Sequence, residues 1–393
     1  MTHIFYNVAH KMRSALATRV PGDGSGKVLD VNDWMARTTL EMLGQAGLGY
    51  SFDNFEEDSI DPYGESIKMF FPTIGPIVKF GFLVEQFSWI FSDAALLWLL
   101  SLIPSEDMRR MLKITDTMRE HSQRIIDEKK AALKKGNDAL KHAVGEGKDI
   151  MSICLKANTA AEDKEKMTDE EILAQTSTFI LAGMDTTSNA LSRILHLLAQ
   201  NPSVQEKLRA EIVEAHGGAG SDANAAIPYD DLNKLPYLDA VCRETLRIHA
   251  PVVLAGRLAA KDMVLPLATP VRGNDGRVMH EVVVPKGAGV LLHYQGTNSA
   301  PELWGDDAHE WKPERWLAPL PQALDDARIP GVYSNLGFKF SQLEMKIVLS
   351  TLLPTFAFEL SDKEITWNSA GVMYPTMGEE SSKSEMLLKV KAL

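Results

Sequence analysis

The chain is poor in cysteine, carries no basic excess and has no long uncharged apolar run. Its two cysteines, Cys154 and Cys242, cannot build a disulfide framework, and neither has a histidine spacing that suggests zinc. That usage fits a reducing compartment. Asp and Glu number 53 against 41 Lys and Arg, for a net charge of −12 and a pI of about 5.4. Nucleic acid is a poor partner for such a surface, because neutralising phosphates needs clustered positive charge. The start, MTHIFYNVAHKMRSALATRV, lacks a continuous apolar core and reads as an amphipathic helix rather than a signal peptide. The most apolar region, 67–104, is interrupted by Pro72, Pro76, Lys79, Glu85 and Asp93. Its longest uncharged run, Ala94 to Ser105, is short of the roughly 20 residues a membrane-spanning helix needs. A helix lying on a membrane surface stays open.

The chain has 393 residues, 45% of them hydrophobic, enough for a large core. The pattern is mainly helical with a small β component. Helices are expected over 1–20 and 31–50, with Asp30 or Asn32 as N-cap, and over 105–133. A polar, glycine-containing connector spans 134–149. Thr168-Asp169-Glu170-Glu171 is a capping box, opening a helix that runs to about Gln200, where Asn201-Pro202 stops it. Further helices are expected from Ser203 to Ala215, from Pro236 to about His249 and over 338–352. After 251 the runs VVLAGRLAAKDMVLPL and VMHEVVVPKGAGVLLHY are β-rich, with Asn274-Asp275-Gly276 as a hairpin turn, and short strands are expected after 352. No repeats are visible.

Three motifs carry chemistry. LAGMDTTS, 181–188, places Gly183, Asp185, Thr186 and Thr187 in the middle of the long helix. Gly and Thr are poor helix-interior residues, and a weak polar turn can open and hold water or a ligand; Asp185 and Thr186 could then relay protons. Its plain alternative is a polar kink in a buried helix. In CRETLRIHAP, Glu244 and Arg247 stand three apart on one helix face, which alone is a common ion pair. In WKPERW, Arg315 sits between Trp311 and Trp316, where it could complete a network with that pair; alone it is a surface loop.

Taken in order, these segments resemble the cytochrome P450 family, in its microsomal, fungal form. AGMDTT is similar to the family's oxygen-activation motif, ETLR to its E-x-x-R helix and PERW to its P-E-R-F segment. GFKFSQLEMK is similar to the helix after the cysteine loop, with Gly337, Phe340 and Glu344 in register. The resemblance runs essentially from end to end and implies a single P450-like domain over 1–393. It implies haem b as cofactor, NADPH-cytochrome P450 reductase as partner and a hydrophobic small molecule as substrate. Asp185 and Thr186 would deliver protons; Glu244, Arg247 and Arg315 would form a structural triad; Arg257 would pair with a haem propionate. Ala182, Val252, Val253, Leu254 and Met373 would touch substrate. The region 67–104 would form the roof and entrance, with peripheral membrane contact. The family's place is the cytoplasmic face of the endoplasmic reticulum.

Two departures accompany the resemblance. Of the family's F-x-x-G-x-R-x-C-x-G loop only the last glycine, Gly337, is present, so the iron-binding cysteine is missing between Leu336 and Gly337. Cys154 and Cys242 are out of register to replace it. Nothing before Met1 supplies the membrane anchor, first strands and early helices, so the chain is expected to be truncated, marginally stable, and cytosolic or peripheral. The expected activity is insertion of one oxygen atom from O₂ into a hydrophobic substrate, with this chain as written inactive. The rivals are a haem-free scaffold that binds a hydrophobic ligand or partner, and an unrelated helical protein with chance motifs.

Overall fold

The computed structural model describes residues 1–56, 62–81, 87, 89–134, 149–162, 164–218, 225–328, 337–379, 381 and 383–393. The helices are α1 (Thr2–Arg19), α2 (Val31–Leu43), α3 (Pro62–Lys68), α4 (Phe70–Ile77), α5 (Asp93–Ser101), α6 (Glu106–Lys134) and α7 (Ile150–Ala160). They continue as α8 (Asp169–Gln200), α9 (Pro202–Ala215), α10 (Tyr229–Asn233), α11 (Pro236–Ile248), α12 (Tyr294–Asn298), α13 (Pro301–Trp304), α14 (Gln322–Asp326) and α15 (Phe338–Leu352). Residues 135–148 of the expected connector, and 329–336 just before Gly337, lie outside the described residues.

The strands form small antiparallel sheets: β1 (Lys27–Asp30), β2 (Leu254–Leu258), β3 (Met263–Arg272), β4 (Val278–Val284), β5 (Gly289–His293), β6 (Phe356–Leu360), β7 (Ile365–Ser369), β8 (Met373–Met377) and β9 (Leu387–Ala392). Strand β9 lies between β1 and β6, while β2–β5, β3–β4 and β7–β8 are two-stranded. The expected hairpin joins β3 to β4, and Gly276 takes the left-handed φ of 82° that the turn needs.

Helix α8 organises the core. The capping box at its start is complete: Thr168 Oγ1 accepts from the Glu171 amide and Glu171 accepts from the Thr168 amide. Beyond its middle, α8 turns Leu191, Ile194, Leu195 and Leu198 inward, against α1, α9, α11 and α15. Its first half packs Ile172, Ile180 and Met184 against α2, α3, α6 and α7. Fully burying such a side chain stabilises by about 1.5–3 kcal/mol.

Asp30 is the cap of α2. Its carboxylate accepts from the amides of Asp33 and Met386, which ties α2 to the start of β9. Asn32 instead points into the core, accepting from Ser192 of α8 and donating to Ser384. The expected helix over 31–50 ends as α2 at Leu43 and continues as one wide π turn, Gly44–Leu48, before Gly49 reverses the chain with φ 59°. Helix α11 has no side-chain cap of its own. Glu211 of α9 accepts from the amides of Tyr237 and Leu238, so a neighbouring helix satisfies its first turn.

Candidate active site

The polar turn of α8 remains helical: the element is continuous from Asp169 to Gln200, and the Thr186 hydroxyl donates back to the Ala182 carbonyl at 2.7 Å. The ladder therefore does not open there, and the hydroxyl bond is the back-bonding to the i−4 carbonyl that threonine makes inside a helix. Gly183 has a packing reason. A Cβ at that position would stand 2.9 Å from Leu43 Cδ2 of α2, so the missing side chain lets α2 and α8 approach. The Thr39 hydroxyl of α2 reaches the Met184 carbonyl at 3.3 Å in the same crossing.

Around this turn Ala182 is exposed, Thr186 half-buried and Asp185 buried. Burial pushes the Asp185 carboxyl up to about 7, with the Asn189 amide and the Lys68 ammonium opposing the shift. Lys68 itself is held by Asp30 and Asp33, at 3.6 and 3.3 Å. A carboxyl with that affinity can both hold and release a proton near neutral pH. One turn on, the Thr187 hydroxyl donates to Ser341 Oγ of α15 at 3.0 Å, joining α8 to the helix that follows Gly337. Glu344 lies below on α15, fully buried, with neither carboxyl oxygen in a well-formed hydrogen bond among the described residues; burial raises its pKa well above the usual range, with the Thr187 hydroxyl opposing the shift.

The structure brings Glu244, Arg247 and Arg315 together. Arg247 grips Glu244 through Nε at 2.9 Å and Nη2 at 2.8 Å, with both side chains completely buried. Arg315 Nε reaches Glu244 Oε1 at 3.3 Å, and the Trp316 indole and Lys312 amide donate to the same carboxylate. The remaining Arg247 donors go to the carbonyls of Asn298, Ala308 and Glu310. Asp307 is a further member that sequence spacing did not reveal. It binds Arg315 Nη1 at 2.7 Å, and Arg315 with Lys312 pulls its pKa down to about 2. The completely buried Glu244 and Arg247 are tolerable as charges only because their donors and acceptors have partners.

Of the residues expected at substrate, Val253 and Met373 line one cavity of about 210 Å³, beside Ala190 and Arg193 of α8, Ile248 and Trp367. Val252 is half-buried and Leu254 is exposed; neither lines this cavity, and nor does Ala182. Arg257, on β2, is exposed, and its Nη1 donates to the adjacent Gly256 carbonyl. Arg193 escaped sequence reasoning, since one arginine in a long helix is no signal until the cavity beside it is formed.

An iron-binding thiolate does not fit the residues present. The chain's two thiols sit elsewhere: Cys154 on α7, and Cys242 fully buried within α11, where burial pushes its pKa up to about 12. A thiol held protonated in the core is no ligand. No group of three metal-binding side chains occurs among the described residues. Also among the described residues, no helix is long and apolar enough to cross a membrane.

Comparison with known proteins agrees with the geometry. The family model described as Cytochrome P450 matches residues 1–377. The chain is 57% identical to ganoderic acid synthetase CYP5150L8 of Ganoderma lucidum, across all of this chain and 74% of that protein. It is 50% and 46% identical to cytochrome P450 monooxygenases 91 and 81 of Postia placenta, across 99% of this chain and 72% of each. The long helix with its acid–alcohol turn, the buried Glu–Arg cluster and these relatives place the chain in the cytochrome P450 family of oxidoreductases.

Proposed function

We propose that this sequence derives from a monooxygenase that inserts one oxygen atom from O₂ into a hydrophobic organic substrate, and that the chain as it stands does not turn over. The observation that carries this reading is the pairing of a preserved Asp185–Thr186 turn with no thiol in register before Gly337. Haem b, with electrons from NADPH-cytochrome P450 reductase, would supply the oxygen chemistry in the family. In this chain no thiol stands in register to hold the iron. The chain's own groups would do the rest: Asp185 holds a proton beside Thr186, and the cavity at Val253 and Met373 receives an apolar body.

The alignment with the Ganoderma relative extends over 410 residues, more than the 393 of this chain, so that relative carries residues inside the matched region that are lacking here. This supports a lost internal segment, for which the junction of Leu336 and Gly337 is the natural place. A single P450-like domain over 1–393 would then be completed by the missing loop. Peripheral membrane contact is favoured by the exposed apolar side chains of Trp89, Ile90, Trp98 and Leu102, which suit a lipid interface.

Haem reconstitution of the purified chain followed by a reduced, CO-bound spectrum tests the central point. No thiolate-type band is expected, and its appearance refutes the inactive reading. cDNA spanning the codons for Leu336 and Gly337 tests the lost segment. An uninterrupted transcript identical to this chain favours the second reading, a haem-free scaffold that binds a hydrophobic ligand, for which the missing cysteine is the supporting feature.

A further inference from the structure

The guanidinium of Arg193 lines the cavity described above, yet no carboxylate of the described residues pairs with it. Among the described residues, its one hydrogen bond runs from Nη2 to His249 Nδ1, at 2.9 Å, and Nε has none. Arginine always donates, so His249 Nδ1 must accept, and the ring is neutral. Burial and the neighbouring Arg193 hold His249 down to about 3, which keeps it neutral at any ordinary pH. The Trp367 ring, 4.4 Å from the guanidinium carbon, cradles the cation but brings no negative charge. His196 accepts from Trp367 Nε1 at 3.0 Å and, its pKa lowered to about 4 by burial, is likewise neutral. The cavity thus presents one positive charge without a carboxylate partner among mostly apolar walls made by Ala190, Ile248, Val253, Trp367 and Met373, with Asn189, His249 and Gln295 as the neutral polar lining. Arg193 is half-buried, and the fully buried cations Arg247 and Lys129 of this chain are each paired with a carboxylate.

We propose that this cavity binds an amphiphilic carboxylate, with Arg193 holding the acid group and the apolar walls taking the chain next to it. The proposal rests on the reading of the chain as a binder of hydrophobic molecules and names the class. Helical rise places Arg193 about 10 Å along α8 from Thr186. A ligand anchored by its acid end would therefore offer a carbon remote from that end to the Asp185–Thr186 turn.

Isothermal titration of the chain with decanoate, and separately with decan-1-ol, tests this without haem or turnover. Decanoate should bind at least tenfold more tightly than the alcohol. In Arg193→Gln that preference should vanish, while Arg193→Lys should restore part of it. Val253→Trp, which fills the cavity, should abolish binding of both, with circular dichroism confirming each variant's fold. Equal binding of acid and alcohol, an unchanged preference in Arg193→Gln, or full binding in Val253→Trp overturns the proposal. So does saturable haemin binding that Arg193→Gln removes, for then the arginine serves a haem propionate. The thiolate-band experiment is independent of these titrations, so either reading can fail alone.

Discussion

Glu244 on α11 and Glu344 on α15 are both completely buried, and they could hardly be treated more differently. Glu244 accepts from two arginines, an indole and a backbone amide. Glu344 has no well-formed hydrogen bond to either oxygen among the described residues, and burial raises its pKa, opposed only in part by the Thr187 hydroxyl. Asp185 on α8 lies nearer to the second case, buried and raised to about 7. One residue class thus serves two ends. With its partners present, a buried carboxylate is ionised and fixes how a helix meets a loop; without them, it stays protonated and becomes a reservoir.

The largest effect should come from breaking the first arrangement. Arg247→Ala strands a buried carboxylate and should cost about 3–5 kcal/mol, read as a lowered midpoint in urea unfolding. Glu344→Gln should stay within about 1 kcal/mol by the same assay, since it exchanges one neutral polar group for another. A comparable loss in both variants would break the comparison.

Asp185 gives the comparison a pH signature. Its folded pKa lies above its unfolded one, so the folded state holds the extra proton between the two values. Its contribution is fully present below about pH 4 and is lost as pH rises through about 7. Asp185→Asn should therefore match the parent at pH 4 and exceed it by about 3 kcal/mol at pH 8, measured by unfolding at both values. An offset independent of pH would mean that Asp185 binds its proton equally well in the folded and unfolded states.

Smaller effects probe the frame that holds these groups. Gly183→Ala drives a methyl onto Leu43 and should cost about 1–3 kcal/mol by overpacking, despite alanine's better helix propensity. Paired with Leu43→Ala, which opens space, the loss should shrink. Thr168→Ala removes the cap of α8 and should cost about 1 kcal/mol, read as a small drop in melting temperature.

Much of this was legible before any coordinates. The capping box at Thr168, the stop at Asn201-Pro202 and the helix after Gly337 are local signals, set by backbone donors and side chains a few residues apart. The expected helix starting at Pro236 was also right, although its cap, Glu211, is 25 residues away in sequence. What escaped is non-local in the same way. Asp307 becomes a member of the Glu244 cluster only when the loop after α13 folds over α11. Asn32, a plausible cap by its position, is drawn into the core by Ser192 and Ser384.

The sequence by itself determined the family, the longer helices with clear caps and stops, and the absence of a thiol in register before Gly337, because these depend on residue identity and short spacing. Tertiary structure decided which charges are compensated. Arg247 finds Glu244 one turn away, but also needs three carbonyls from the distant segment 298–310. Arg193 finds only neutral rings. Whether a buried charge is a structural anchor or an open binding group depends on what packs around it, and local sequence does not encode that.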